Sequence, residues 1–305
     1  MHIDTPLLRV SPGVLPRDEA LFKMDALQPS GSFKLRGIGA LCTQAVGEGA
    51  RAIVCASGGN AGLAAAYAGA RLGAPVTIVT PETTSREARE AITGAGAQVI
   101  VHGASFDDAD AHARTLVEPL GAAYVHPFDD PRMWAGHATL IDEVVAAGAE
   151  FDGVVTSVGG GGLMLGILEG LARNGLERLP VVAVETHGAD ALARSRAAGE
   201  RVTLPAITSI ATSLGARRVA QAAFEAAQAG RVRSVVVDDR DAVQGCVWAA
   251  DRLRVLVEPA CGAALAALWR APDALADMRR PLVEVCGGVG VSLARLAEWR
   301  GRFGV

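Results

Sequence analysis

Only two lysines, Lys23 and Lys34, stand among the 29 Lys and Arg residues of this chain, so arginine meets nearly every need for positive charge. Lys34 lies in QPSGSFKLRG, residues 28–37. A guanidinium stays protonated and is a poor nucleophile, whereas a desolvated lysine can lose its proton and add to a carbonyl as a Schiff base. A surface lysine without a role is the plain alternative, and further groups must decide between them.

Four consecutive glycines, Gly159, Gly160, Gly161 and Gly162, separate an apolar run from a helical pattern in VTSVGGGGLMLGI. Without Cβ atoms the backbone can approach an anion closely, and several N–H groups together with the positive helix end can cradle a phosphate. A tight turn accounts for one or two glycines but poorly for four. Neither GxxxxGK[ST] nor GxGxxG is present here, which argues against an ordinary nucleotide loop. A second turn, Ser57, Gly58, Gly59, Asn60 and Ala61, opens a small-residue helix; it offers free backbone donors for a carboxylate and a directional amide from Asn60. Helix capping by Ser57 or Asn60 is compatible with that use. Cys286 ends VEVC and is followed by two glycines. A thiol there is a weak partner, suited to a ring nitrogen that should not be fully protonated. A reactive amine, a phosphate cup and a weak partner for an aromatic nitrogen together describe a site for pyridoxal 5′-phosphate.

These groups sit at the ends of elements that the pattern predicts. AIVCAS (52–57), PVTIVT (75–80), AQVIVH (97–102) and AAYVHP (122–127) read as strands, separated by helices beginning near Asn60, Ser85 and Phe106. GVVTSV (153–158), PVVAVE (180–185), VRSVVVD (232–238) and PLVEVC (281–286) form a second series. The expectation is an α/β chain of two open, mainly parallel sheets flanked by helices, with ligands outside the carboxyl ends of the strands.

At 305 residues the chain is long enough for about two domains. A net charge of −4 with scattered arginines excludes a nucleic-acid footprint, and the apolar stretches are broken by glycine and charge, which predicts a cytoplasmic protein with no membrane span. The five cysteines show no CxxC spacing and are expected to be small buried hydrophobes. His126, His137, Asp129 and Asp130 lack zinc spacing; a loop leading into a helix accounts for them.

The chain resembles the fold type II pyridoxal-phosphate enzymes, tryptophan synthase beta-like in fold, and within them the L-serine dehydratases (L-serine/L-threonine ammonia-lyases). The resemblance rests on KMDALQPSGSFKLRGIGA, SGGNAGLAAAYA, HPFDDPRMWAGHATL, SVGGGGL, ITSIATSLGA, VEPACGAALAAL and VCGG. It implies that Lys34 carries the cofactor as a Schiff base and is catalytic, that Phe33 packs on the ring, and that Asn60 bonds the ring hydroxyl. It further implies that Gly159 to Gly162 hold the phosphate, that Ser213 lies on the other ring face, that Cys286 faces the pyridine nitrogen, and that Ser57 to Ala61 receive the substrate carboxylate. A monovalent cation, potassium, is implied at Glu185, Ala189, Leu214 and Ala216. Residues 1–34 and 136–305 are expected to form a large cofactor-binding domain and 35–135 a small one, in a homodimer. The expected reaction is β-elimination of L-serine to pyruvate and ammonia, and of L-threonine to 2-oxobutanoate. Serine racemisation, a β-replacement or a non-catalytic cofactor-binding homologue are the alternatives; a dinucleotide dehydrogenase is disfavoured by the missing fingerprint. Gly58 replaces an alanine of the liver-type enzymes and is expected to leave extra room beside the substrate.

Overall fold

Ten strands and twelve α-helices form the described part of a computed structural model, which covers residues 1–10 and 19–305. The chain divides into two compact units, one of Met1–Ile3 with Gln28–Gly136 and one of Asp4–Leu27 with His137–Val305.

The first unit holds a four-stranded, wholly parallel sheet in the order β5-β4-β3-β6, formed by β3 (Ala52–Ala56), β4 (Val76–Thr80), β5 (Gln98–Val101) and β6 (Ala122–Val125). Every residue of β3 and β4 is buried, as in a parallel sheet covered on both faces. Its helices are α1 (Lys34–Gly47), α2 (Asn60–Leu72), α3 (Arg86–Gly94), α4 (Phe106–Thr115) and α5 (Val117–Leu120), and the first turns of α6 (Pro131–Ala146). Local chemistry sets their limits. Ser85 caps α3 by accepting from Ala88 N, Ser105 and Asp108 form a reciprocal capping box on α4, and Gly73 ends α2 at φ 67°.

The second unit holds a six-stranded sheet, ordered β1-β2-β10-β7-β8-β9. Its strands are β1 (Leu7–Val10), β2 (Ala20–Lys23), β7 (Gly153–Ser157), β8 (Val181–Thr186), β9 (Val232–Val237) and β10 (Pro281–Glu284). All pair in parallel except β1 with β2. The helices are α7 (Gly162–Arg173), α8 (Ala191–Ala198), α9 (Gln221–Gln228), α10 (Asp239–Trp248), α11 (Pro259–Arg270) and α12 (Leu293–Phe303), together with the rest of α6.

The α/β class with two mainly parallel sheets is as expected, and the helices begin at Asn60, Arg86 and Phe106, within one residue of the reading. Strands β1 and β2 were not anticipated. Each is four residues long, and β1 lies at a sheet edge with only β2 beside it, so neither carries the continuous apolar run that marks a central parallel strand.

In both sheets the strand order reverses beside the first strand of the series, between β3 and β6 and between β7 and β10. Crevices for ligands open at the carboxyl ends of such switch points. The turn at Ser57 follows β3, His126 follows β6, the glycine run follows β7 and Cys286 follows β10.

Candidate active site

Lys34 is the first residue of α1 and is half-buried, as is Phe33 before it. Its ammonium donates to the carbonyl of Pro127 at 2.5 Å and lies 5.0 Å from the centre of the Phe33 ring. A Cβ added to Gly136 of α6 would lie 2.7 Å from the Arg36 carbonyl and 2.8 Å from Gly37 Cα, so missing side chains let these helices meet and fix the start of α1. The other lysine has a different fate. Lys23 is 1% exposed, and its three donors go to Asp4 Oδ1 (2.9 Å), Thr5 O (2.6 Å) and Glu143 Oε2 (2.6 Å). Of the two amines, Lys34 is the half-buried one and Lys23 the one enclosed by carboxylates.

Ser57, Gly58, Gly59, Asn60 and Ala61 form the turn from β3 into α2. No side chain caps the helix; Ser57 Oγ accepts from Gly59 N at 3.3 Å instead. Gly62 lets the turn close, since a Cβ there would lie 2.0 Å from the Ser57 carbonyl. The space expected beside Gly58 is filled. A Cβ on Gly58 would meet Thr84 Cγ2 at 2.4 Å and Oγ1 at 2.5 Å, so Thr84, from the loop after β4, supplies the bulk that an alanine would have brought. A Cβ on Gly59 would meet no atom within 4 Å.

In the second unit, Gly159 to Gly162 run from β7 into α7. Gly161 has φ 96°, a left-handed conformation, and a Cβ on it would lie 2.3 Å from Ala223 Cβ. A Cβ on Gly159 would meet Leu214 Cα at 3.1 Å and the carbonyl of Ser213 at 3.2 Å, so Ser213 is brought to this loop through its backbone. No side chain caps α7. Cys286, 4% exposed, lies 3.6 Å from Ser157 Oγ at the end of β7. A hydrogen bond with Cys261, reinforced by burial, holds its thiol well above the usual range and therefore neutral. Glu258, buried before α11, underlies the glycines after Cys286; a Cβ on Gly288 would fall 2.0 Å from its Cδ. All five cysteines are buried, and burial likewise pushes Cys42 up to about 12 and Cys55 and Cys246 higher.

Glu185 is fully buried, and its carboxylate accepts from Leu192 N and Ala193 N at 2.8 Å each, at the start of α8. Burial raises its pKa to about 8 despite those bonds. Ala189 and Leu214 share one small buried cluster, and the Leu214 carbonyl accepts from Ala216 N at 2.8 Å. Asp130 accepts from Arg132 N just ahead of α6, a loop-and-helix role as expected, and no group of three or more His, Cys, Asp or Glu suited to a metal occurs among the described residues.

Sequence reasoning overlooked Pro127, Thr84, Ser157 and Glu258. Pro127 and Thr84 act through a backbone carbonyl and a packing contact, which residue type does not announce. Ser157 was readable as the residue that ends the strand bearing the glycine run.

The family model of pyridoxal-phosphate dependent enzymes matches residues 1–287. The chain belongs to this family. It is similar to the human serine dehydratase-like protein, 42% identical over 316 residues that cover 99% of this chain and 95% of that one. The L-serine dehydratase/L-threonine deaminase of Bos taurus is 41% identical over 316 residues, covering 100% and 97%. The crystal structure of a fungal L-serine ammonia-lyase from Rhizomucor miehei matches with a TM-score of 0.90 at 34% identity, covering 99% of each chain.

The residues present fit pyridoxal phosphate. The second unit has a backbone cup in which a Cβ is excluded at Gly161 and tightly placed at Gly159, opening an uncapped helix, and a thiol held neutral at a neighbouring strand end. The first unit has a half-buried lysine amine at a helix start that donates to the Pro127 carbonyl.

Proposed function

We propose that the chain is a pyridoxal-phosphate-dependent L-serine/L-threonine ammonia-lyase. The observation that carries this reading is the contrast between its lysines, one buried in ion pairs with Asp4 and Glu143 and the other half-buried at a helix start, where it donates to the Pro127 carbonyl. The likeness along the whole chain to the dehydratases named above supports the choice of reaction.

When bound, the cofactor supplies an electron sink conjugated to the substrate amino group, which acidifies the Cα proton. Lys34 Nζ is the base that removes that proton, and the Pro127 carbonyl orients the amine by accepting one of its hydrogens. Phe33 and Ser213 would flank the cofactor ring. Asn60 would donate to the ring hydroxyl, while the N–H groups of the Ser57–Ala61 turn would receive the substrate carboxylate. Gly159 to Gly162 would hold the phosphate through backbone donors. Cys286, neutral and buried, would meet the pyridine nitrogen without charging it. The proton taken from Cα balances the β-hydroxide that departs, so the elimination loses one water, and hydrolysis of the released enamine gives pyruvate and ammonia from L-serine and 2-oxobutanoate and ammonia from L-threonine.

A monovalent cation of the potassium class, with the carbonyls of Ala189, Leu214 and Ala216 and the Glu185 carboxylate around it, is part of the same proposal, as is assembly into a homodimer. Among the described residues no helix is long and apolar enough to cross a membrane.

The test is 2-oxo-acid release by the cofactor-loaded protein from L-serine, L-threonine and D-serine. Release from the L-amino acids that Lys34→Ala abolishes is the expected result. A yellow, loaded protein that releases none would keep the cofactor site and replace the reaction by racemisation or β-replacement.

A further inference from the structure

The carbonyl that holds Lys34 belongs to a loop organised by one imidazole. His126 follows β6, and its Nδ1 accepts from two successive backbone groups, Asp129 N at 2.9 Å and Phe128 N at 3.3 Å. The chain bends back over the ring just after the buried Pro127, which lies between His126 and Phe128 and presents its carbonyl to Lys34 Nζ. Two further contacts lock the bend. Trp134 Nε1 donates to the Phe128 carbonyl at 2.8 Å, and the Phe128 ring meets the His126 ring edge to face at 4.6 Å.

We propose that His126 is a positioning residue for the base: as a neutral imidazole accepting at Nδ1, it holds the Pro127 carbonyl against Lys34, and its protonation releases that carbonyl. An imidazole with one proton accepts at its bare nitrogen, whereas an imidazolium only donates. A proton on Nδ1 would face two N–H donors, and both bonds would be lost together.

The charges around the ring are few. Asp129 and Asp110 stabilise the protonated form, Arg114 and Lys34 oppose it, and the Tyr124 ring stands edge-on at 6.3 Å. Asp110 is itself occupied by Arg114 Nε at 2.8 Å and by the Tyr124 hydroxyl. Burial prevails and keeps the His126 pKa below its ordinary value of 6.5, so the acceptor form is the one present at neutral pH. His126 therefore contributes a fall in activity as the pH drops through that lowered value.

The proposal rests on Lys34 being the base of the reaction above. His126→Asn retains an acceptor near the Nδ1 position but cannot be protonated; His126→Ala removes it. In the holoenzyme, His126→Ala is expected to lower kcat for L-serine by roughly 10- to 100-fold, the scale of a misplacement of about 1 Å, with KM moved less. His126→Asn should stay within about threefold of the wild type and lose the part of the acid limb that His126 contributes, keeping the part due to protonation of the base itself. Nitrogen NMR of the wild-type ring should show a bare Nδ1 and a protonated Nε2 at neutral pH. Wild-type activity in His126→Ala, equal impairment of both folded variants, or a protonated Nδ1 overturns the proposal. Should the wild type release no oxo acid at all, the reaction fails separately, and the NMR result together with the rate at which each variant's Lys34 captures pyridoxal phosphate still decides whether His126 positions the amine.

Discussion

At the scale of single residues, the two turns that lead into α2 and α7 are tuned by absent atoms. Gly58 and Thr84 exchange volume: one has given up a methyl group and the other occupies its place. Gly58→Ala should therefore raise KM for L-serine and lower kcat, together costing roughly tenfold in kcat/KM as the turn shifts, because overpacking of about this size costs 1–3 kcal/mol. In a Thr84→Gly background the same change should cost far less; a steady-state double-mutant cycle reads the coupling, and strict additivity would show that the two do not share space. Gly59 is the control. A methyl there meets no protein atom within 4 Å, so Gly59→Ala should leave the thermal midpoint within about 2 °C while raising KM, if substrate fills that space. Lys34, the glycine run and Cys286 stood out as candidates because each is an uncommon residue choice for its place. The Pro127 carbonyl was not, since it reaches Lys34 from 93 positions away through an atom that every residue possesses.

At the scale of elements, the strand ends carry the candidate site residues. The parallel strands were readable because burial on both faces forces continuous β-branched runs, seen in AIVCA, VTIVT and VVAVET. Their spatial order was not readable, and it is the reversal at β3/β6 and β7/β10 that puts the Ser57 turn beside the His126 loop in one sheet and the glycine run beside Cys286 in the other. The α7 start offers the sharpest test. Gly161→Ala forces a left-handed φ on a residue with a Cβ and drives that atom toward Ala223, so the loop must open. Pyridoxal-phosphate affinity, measured by absorbance titration of the apoprotein, should fall by roughly 10-fold or more, whereas Gly175→Ala, beyond the other end of α7 and with open space around it, should leave affinity unchanged.

At the scale of the whole molecule, buried ionisable groups tie folding to solution conditions. Glu185 has a folded pKa near 8, above its ordinary 4.5, so its protonated form favours the native state: that stability is fully present below about pH 4.5 and is lost as pH rises through 8. The apoprotein in a sodium- and potassium-free buffer should thus melt lower at pH 9 than at pH 6, by roughly 5 °C or more on this account, and Glu185→Gln should flatten the difference. Added potassium should restore the wild type at pH 9 but not the variant, if the cation sits against the carboxylate. The cysteines have a consequence of another kind. With all five thiols buried and Cys42, Cys55, Cys246 and Cys286 shifted upward, the folded chain is nearly inert to alkylating reagents. It therefore carries its own opening reporter: two labels mark exposure of Cys42 and Cys55 in the first unit, three mark Cys246, Cys261 and Cys286 in the second, and mass spectrometry of a timed alkylation would show which half of the molecule loosens first.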